Sequence, residues 1–224
     1  MVPTRAAAPD QQGNETMAGR TGFALAGLAA AALAAGASLM PSGVAAQSTE
    51  TAIFAGGCFW CVESDFDHVA GVLDTTSGYI GGQNENPTYQ NHPGHVEAVK
   101  ITYDPKRVSY DQLLNVFWHS VDPTDAGGQF CDRGHAYTTA IFATDQSQVQ
   151  KAKASKAAIA KDLPKVVTPI NSAPTFWPAE GYHQDYYKKN ALKYKYYRFS
   201  CGRNARVRDV WGDKAYQGIK DAMG

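Results

Sequence analysis

The sequence predicts an α+β fold: a two-layer α/β sandwich with a mixed sheet, a ferredoxin-like core and an irregular C-terminal tail. Strand-like and helix-like stretches are interspersed, but some predicted strands follow one another directly and no regular crossover repeat occurs. The 224 residues are 44% hydrophobic, enough to bury one core of ordinary size. A dinucleotide-binding fold is not indicated, because AGGCFW lacks the Gly-x-Gly-x-x-Gly spacing.

The first half of the predicted domain begins with TAIFAGG, an apolar run that ends in two glycines. This pattern is typical of a short buried strand that turns sharply into a helix, here CFWCVESDFDHV. VLDTTSGYIGG predicts a second strand, and NENPTYQNHPG predicts a loop. In HVEAVKITYDP the period of two places Glu97 on the same strand face as Val99 and Ile101.

The second half opens with Ser109 and Gln112, which are spaced as a capping box for a helix through YDQLLNVFWHSV. AYTTAIFAT alternates again, which aligns Tyr137 with Thr139 and Ile141 on a strand. DQSQVQKAKASKAAIAKD is typical of a surface helix, KVVTPI of a further strand, and AEGYHQDYYKKN of a short helix or loop before the tail.

The N-terminal residues predict export. Arg20 precedes TGFALAGLAAAALAAGASL, an uncharged small-apolar run, and PSGVAAQS follows. This is typical of a signal peptide in residues 1–46, cleaved near Ala46, and a start ahead of Met17 adds an N-terminal extension. We therefore expect a single domain at 47–224 in the periplasm or secreted, without stable membrane association after cleavage; the alternative is a retained membrane anchor.

The formal net charge of +0 and the pI near 7.0 do not indicate a nucleic-acid partner, because phosphate backbones select a basic surface. An exported chain meets an oxidising compartment, so disulfide chemistry is expected at its four cysteines.

The stretch GGCFWCVESDF admits three interpretations. A structural zinc site needs a second close pair of ligands, and Cys131 and Cys201 each stand alone. A thioredoxin-like dithiol also uses Cys-x-x-Cys at a helix start, but Phe59 and Trp60 would crowd the partner disulfide.

The third interpretation makes Cys58 a nucleophile. A cysteine at a helix N-terminus lies at the positive end of the helix dipole, which predicts a lowered thiol pKa. The adjacent rings of Phe59 and Trp60 would then form an apolar wall where a substrate methyl group rests.

Six blocks together carry a family resemblance: GGCFWCVE, GYIGG…NPTY, GHVEAVKITYDP, QFCDRGHAYTTAIF, PAEGYHQDYY and YRFSCGR. From about Thr51 to Trp211 the chain resembles the type A peptide-methionine sulfoxide reductases, which act on the S epimer of methionine sulfoxide. The resemblance implies a single catalytic domain with this activity, no metal and no organic cofactor.

The resemblance also implies the site residues. Cys58 matches the family's catalytic nucleophile, Cys201 its usual recycling position, and Glu97 its acid. The remaining matches are Phe59 and Trp60 for the S-methyl pocket, Tyr89 and Tyr137 for the sulfoxide oxygen, and Asp132 for a polar residue of the pocket. Chemistry agrees for Glu97, because a sulfoxide oxygen leaves poorly without a proton and a desolvated carboxyl stays neutral.

Collapse of the adduct would leave a Cys58 sulfenic acid, which a second thiol converts to a disulfide. We expect this thiol to be Cys201 rather than Cys61, although Cys61 replaces the Gly common in the family. A thioredoxin-like protein would reduce the disulfide, methionine sulfoxide would be free or protein-bound, and the chain would be a monomer. Cys131 is expected to be a bystander thiol, and His183 a hydrogen-bonded structural residue.

Two other functions stay open from the residues alone. One is a general dithiol oxidoreductase, and the other is a non-enzymatic module that binds methionine or its oxide.

Overall fold

The computed structural model describes residues 48–220, so the predicted signal peptide lies outside the described residues. Strands are β1 (Glu50–Gly56), β2 (Val72–Ile80), β3 (Val96–Tyr103), β4 (Gly128–Gln129), β5 (Asp132–Arg133), β6 (Thr139–Ala143), β7 (Ile170–Ser172) and β8 (Phe176–Pro178). Helices are α1 (Phe59–Asp67), α2 (Tyr110–Trp118), α3 (Gln146–Ile159), α4 (Tyr186–Lys189), α5 (Ala191–Ser200) and α6 (Arg203–Trp211). Within residues 48–220, no helix has the length and apolar character needed to cross a bilayer.

The main sheet has six strands in the order β7-β6-β1-β3-β2-β8. The β6 and β7 pair is parallel, and every other pair in this sheet is antiparallel. Strands β4 and β5 form a separate hairpin. The predicted α+β fold with a mixed sheet is therefore confirmed.

The core lies between the sheet and the helices. Phe54 of β1 packs there with Phe66 of α1 and Phe117 of α2, and all three side chains are fully buried. A smaller apolar cluster covers the other face of the sheet, where Val96 and Ala98 of β3 take part. Strand β3 is thus buried on both faces, and Glu97 cannot lie at the surface.

Local signals in the sequence set the start of α2. The Ser109 hydroxyl accepts the backbone N–H of Gln112, and the Gln112 side chain accepts the backbone N–H of Ser109. The predicted capping box is therefore confirmed, with two otherwise unpaired N–H groups satisfied.

Two predicted strand segments differ in the structure. Tyr137 ends a 3-10 turn that follows Gly134, whose φ of 109° breaks the extended conformation, and β6 begins only at Thr139. Strand β7 begins at Ile170 rather than within KVV, because Pro169 has no N–H for the ladder. The C-terminal tail consists of short helices, of which α5 and α6 are joined at Cys201 and Gly202.

The turn from β1 into α1 depends on Gly57. Its φ is +85°, a conformation that L side chains rarely adopt. A Cβ added there would lie 2.6 Å from Cβ of Gln129. This turn places the next residue, Cys58, at the start of α1.

We therefore expect Gly57→Ala to lower the free energy of unfolding by about 2 to 4 kcal/mol, from backbone strain and the contact with Gln129. Chemical denaturation followed by far-UV circular dichroism measures this. Gly181→Ala is the matched control, because a Cβ at Gly181 meets no atom within 4 Å. Equal stability of both variants would show that the turn tolerates a side chain.

Candidate active site

Cys58 lies at the junction of β1 and α1, where it is the residue that precedes the first helical turn. Its carbonyl oxygen accepts the backbone N–H groups of Cys61 at 3.1 Å and Val62 at 3.3 Å. The side chain is 7% exposed, so the thiol lies in an almost closed environment at the point predicted from the sequence.

The Cys58 thiol is hydrogen-bonded to Cys61, and both cysteines are free. Burial raises the pKa of Cys58, and the nearby charges of Cys61 and Glu97 raise it further. The prediction of a lowered pKa is therefore wrong. The first N–H of the helix, that of Phe59, donates to Glu97, and burial outweighs the helix dipole.

Cys61 is the more acidic thiol of the pair. The hydrogen bond from Cys58 lowers the pKa of Cys61 to about 7, and the cations of Arg203 and Arg198 act in the same direction. Both guanidiniums pair with the single carboxylate of Asp65, at 2.8 Å from Arg198 and 3.4 Å from Arg203. Two buried positive charges thus face one negative charge, and the excess favours a thiolate on Cys61.

Glu97 lies on β3, directly opposite Tyr79 of β2. Its side chain is 1% exposed, and one carboxyl oxygen accepts the backbone N–H of Phe59 at 2.9 Å. Burial raises the pKa of Glu97 to about 8, despite this hydrogen bond. The carboxyl group is therefore mostly neutral at pH 7 and able to donate a proton, as expected from its strand position.

Tyr137 and Tyr89 reach the same region from two loops. Their hydroxyl groups are hydrogen-bonded to each other, and burial together with the charge of Glu97 raises the pKa of Tyr137. Tyr89 is 39% exposed, and its backbone N–H donates to Glu180 at 2.9 Å. The pair therefore places two phenol hydroxyls beside the carboxyl group of Glu97, with Tyr89 at the opening.

Aromatic rings form the wall of the site. Trp60 stacks on Tyr186 with ring centroids 3.7 Å apart, and its indole N–H donates to Nδ1 of His183 at 3.0 Å. The Phe59 ring packs against His183 at 4.9 Å. His183 is therefore the hydrogen-bonded structural residue that was predicted, and it fixes the orientation of Trp60.

Tyr197 on α5 is a site residue that the sequence did not reveal. Its hydroxyl donates to Oδ2 of Asp132 at 2.5 Å and lies within hydrogen-bonding reach of the Cys58 sulfur. Its ring meets Trp60 edge-on at 5.8 Å. The signal that could have indicated it is the four-residue spacing from Cys201, which caps the C-terminal end of α5 and so lies one turn beyond Tyr197 on the same side.

Cys131 and Cys201 form a disulfide. The prediction that Cys131 is a bystander thiol is therefore wrong. Its spacing from Cys201, 70 residues along the chain, gave no indication of the pairing. Among residues 48–220, the two sulfurs and the carboxylate of Asp132 are also the one cluster of three side chains of types that can bind a metal ion. Both sulfurs are taken up by the disulfide.

The structure thus brings seven of the eight predicted residues to one region, and Cys201 lies beside it through Asp132, with its sulfur 3.7 Å from Oδ2. A buried thiol next to a more acidic thiol, a neutral carboxylic acid and an aromatic wall are suited to nucleophilic attack with proton donation. The fold and the site define a thiol-dependent reductase of a small oxidised group.

Comparison with known proteins identifies the family. The model of the family described as peptide methionine sulfoxide reductase matches residues 50–215. The Rhizobium meliloti (strain 1021) peptide methionine sulfoxide reductase MsrA 2 is 55% identical over 177 residues, 78% of this chain and 89% of that protein. The Bacillus subtilis (strain 168) MsrA is 46% identical over 175 residues, 75% of this chain and 99% of that protein.

Among solved structures, methionine sulfoxide reductase A of Corynebacterium diphtheriae has a TM-score of 0.62 and 32% identity, and the match covers 64% of this chain and 76% of that one. The chain belongs to the peptide methionine sulfoxide reductase family.

The raised pKa of Glu97 predicts how stability changes with pH. Between the unfolded pKa of about 4.3 and the folded pKa, the folded chain keeps a proton that the unfolded chain has released, so stability falls as pH rises. The loss reaches at most about 1.4 kcal/mol per pH unit and levels off once pH exceeds the folded pKa, about 8.

Glu97→Gln has no proton to lose. We therefore expect the variant to become more stable relative to the unmodified chain as pH rises. The measured quantity is the difference between their free energies of unfolding, from urea denaturation between pH 5 and pH 9. Parallel curves for the two chains would contradict the assigned pKa.

Proposed function

We propose that this chain reduces the S epimer of methionine sulfoxide, free or within proteins, with Cys58 as the nucleophile. The observation that carries the proposal is the buried Cys58 thiol, which lies between a second free thiol, Cys61, and the neutral carboxyl group of Glu97. Family membership supports the reaction, and the aromatic wall of Phe59 and Trp60 supports a small apolar substrate group.

In the first step, the Cys58 thiol passes its proton along its hydrogen bond to Cys61, and the resulting thiolate attacks the sulfoxide sulfur. Glu97 protonates the oxygen as charge develops on it, and the hydroxyls of Tyr137 and Tyr89 donate hydrogen bonds to the same oxygen. The oxygen is transferred to Cys58, so methionine leaves and Cys58 becomes a sulfenic acid.

The methyl group attached to the sulfoxide sulfur would rest against Phe59 and Trp60. The Trp60 indole is fixed by His183 on one edge and by Tyr186 on one face. Asp132 acts through Tyr197, whose hydroxyl it holds close to the Cys58 sulfur. A rigid wall favours a compact methyl group, because larger groups would have to displace packed rings.

In the second step, Cys61 attacks the sulfenic sulfur, which forms a Cys58–Cys61 disulfide and releases water. Cys61 is placed for this attack, because it is already hydrogen-bonded to Cys58 and its pKa is lowered to about 7. Cys201, which we expected from the sequence to make this attack, is paired with Cys131 in the structure, whereas Cys61 is free.

A dithiol protein of the thioredoxin type would then return the chain to its reduced state, without a metal or organic cofactor. A protein donor fits this chemistry, because an intramolecular disulfide is reduced by exchange with two thiols. The monomeric state stays a prediction.

We further propose that the chain is exported and matures by cleavage near Ala46. The support is the sequence pattern of Arg20, the apolar run and GVAAQS.

The test of the reaction uses reduced chain mixed with each epimer of a blocked methionine sulfoxide, with no added reductant. The unmodified chain should release methionine from the S epimer, and Cys58→Ser should release none, because a hydroxyl cannot replace the thiol at sulfur. Cys201→Ser should still release one equivalent and form a disulfide between Cys58 and Cys61, detectable by peptide mapping with mass spectrometry.

Two results would contradict this mechanism. Methionine release by Cys58→Ser would move the nucleophile elsewhere, and absence of the Cys58–Cys61 disulfide in Cys201→Ser would make Cys201 the direct resolving thiol. Insulin disulfide reduction serves as the control for the alternatives: a general dithiol oxidoreductase would accelerate it, and a binding module would show neither activity.

Export is tested at the N-terminus. We expect the chain recovered from a bacterial host's periplasm or medium to begin near Gln47, since the apolar run ends shortly before GVAA. Mass spectrometry of the intact chain measures this start. Recovery in the membrane fraction with Arg20 still present would indicate a retained anchor.

A further inference from the structure

We propose that Glu63 is a positioning residue for substrate selection. It holds the segment 183–186 through the backbone N–H of Asp185, and this segment fixes the ring of Trp60. The inference rests on the proposed function, since it concerns the wall against which the substrate methyl group lies.

Glu63 is a buried acid on α1, one turn beyond Trp60. It is 1% exposed, and its Oε2 accepts the backbone N–H of Asp185 at 3.1 Å. Burial raises the pKa of Glu63 to about 7, and the charges of Asp67 and Asp185 act in the same direction. A buried carboxyl group costs stability that an apolar side chain of similar size would not. Packing alone therefore does not account for an acid at this position.

The hydrogen bond from Asp185 holds a residue with an unfavourable backbone. Asp185 has a φ of 54°, in the left-handed region that non-glycine residues adopt infrequently, and it directly precedes α4. Such a conformation persists only where specific contacts impose it. The carboxyl group of Glu63 supplies one of these contacts at the residue itself, and so it sets the direction in which α4 begins.

The same turn carries both residues that hold the Trp60 indole. Tyr186 follows Asp185, and its ring stacks on Trp60 with an interplanar angle of 6°. His183 lies two residues before Asp185, and its Nδ1 accepts the indole N–H at 3.0 Å. The position of this turn therefore determines the orientation of the aromatic wall.

The segment 183–186 has an anchor on each side. On the sheet side, the Gln184 amide exchanges two hydrogen bonds of 2.9 Å with the backbone of Ser77 on β2. On the helix side, the contact is the bond between Asp185 and Glu63. Loss of the acceptor at Glu63 would leave a part-buried N–H without this partner and release the side of the segment that precedes Tyr186.

This arrangement separates binding from chemistry. Cys58 and Glu97 are held by the start of α1 and by the Phe59 N–H, neither of which involves Glu63. A loosened Trp60 ring should therefore weaken the binding of a methyl sulfoxide and admit a larger group, while the reaction of the bound substrate stays nearly unchanged.

The experiment compares two substitutions at one position. Glu63→Leu keeps a similar volume and removes the acceptor, whereas Glu63→Gln removes the charge and keeps an oxygen acceptor. First-turnover rates of the reduced full chain are measured against concentration for the S epimers of blocked methionine sulfoxide and blocked ethionine sulfoxide, which carries one more carbon on sulfur.

Glu63→Leu should raise the half-saturating concentration of methionine sulfoxide by about tenfold, the effect of losing one buried hydrogen bond. Its preference for methyl over ethyl should fall several-fold, from the roughly 10- to 200-fold that one carbon is worth in a packed pocket. The rate at saturation should stay within about threefold of that of the unmodified chain, and Glu63→Gln should match the unmodified chain in all three quantities.

Ser109→Ala is the control for lost stability. Its side chain bonds only to Gln112 at the start of α2 among the contacts described, so the substitution weakens the fold without altering the site. Its half-saturating concentration and methyl preference should equal those of the unmodified chain. A shift in this control as large as that in Glu63→Leu would overturn the inference, because lost stability alone would then explain the effect.

Three other results would overturn it: unchanged binding and preference in Glu63→Leu, the same defects in Glu63→Gln, or a loss confined to the rate at saturation. If Glu63→Leu does not fold, Glu63→Asp decides the question, since it keeps the carboxyl group but withdraws it by one carbon from the Asp185 N–H. Glu63→Asp should lower the methyl preference, and an unchanged preference would contradict the assignment. No methionine from the unmodified chain would instead overturn the proposed function itself.

Discussion

The site depends on one hydrogen bond, from the backbone N–H of Phe59 to the carboxyl group of Glu97. It joins the first turn of α1 to the central strand β3, and so it holds Cys58 and Glu97 in one frame. The same contact satisfies a helix N–H that has no partner within its helix. The burial of the carboxyl group favours its neutral form and outweighs this hydrogen bond, which acts in the opposite direction.

A second constraint ties the C-terminal helices to this frame. Arg198 of α5 and Arg203 of α6 both reach Asp65 on α1, deep in the molecule. Arg203 also donates to the carbonyl of Gly56 at 3.1 Å, next to the turn that precedes Cys58. Breaking such a buried cluster at one member leaves an unpaired charge, which costs more than an exposed ion pair. The cluster therefore holds the C-terminal helices against α1, and its two arginines also lower the pKa of Cys61.

The sequence was informative wherever a local pattern decided the structure. The glycine turn before Cys58, the capping box at Ser109 and the period of two around Glu97 all act over a few residues, and each was predicted correctly. What depended on distant contacts was missed. The Cys131–Cys201 disulfide joins segments 70 residues apart, and Tyr197 enters the site through packing of α5. The pKa of Cys58 was misjudged because burial, which no local pattern reports, exceeds the helix dipole.

The burial of Cys58 affects how well the enzyme resists oxidation of its own thiol. Peroxides attack thiolates, and they drive an accessible sulfenic acid on to sulfinic and sulfonic acids, which are not returned to the thiol by ordinary reductants. A thiol that is 7% exposed and protonated at rest gives such oxidants little to react with. The free Cys61 thiol is hydrogen-bonded to Cys58, so a second thiol lies beside any sulfenic acid that forms there. A chain that repairs oxidative damage is thereby protected from oxidation by the same oxidants.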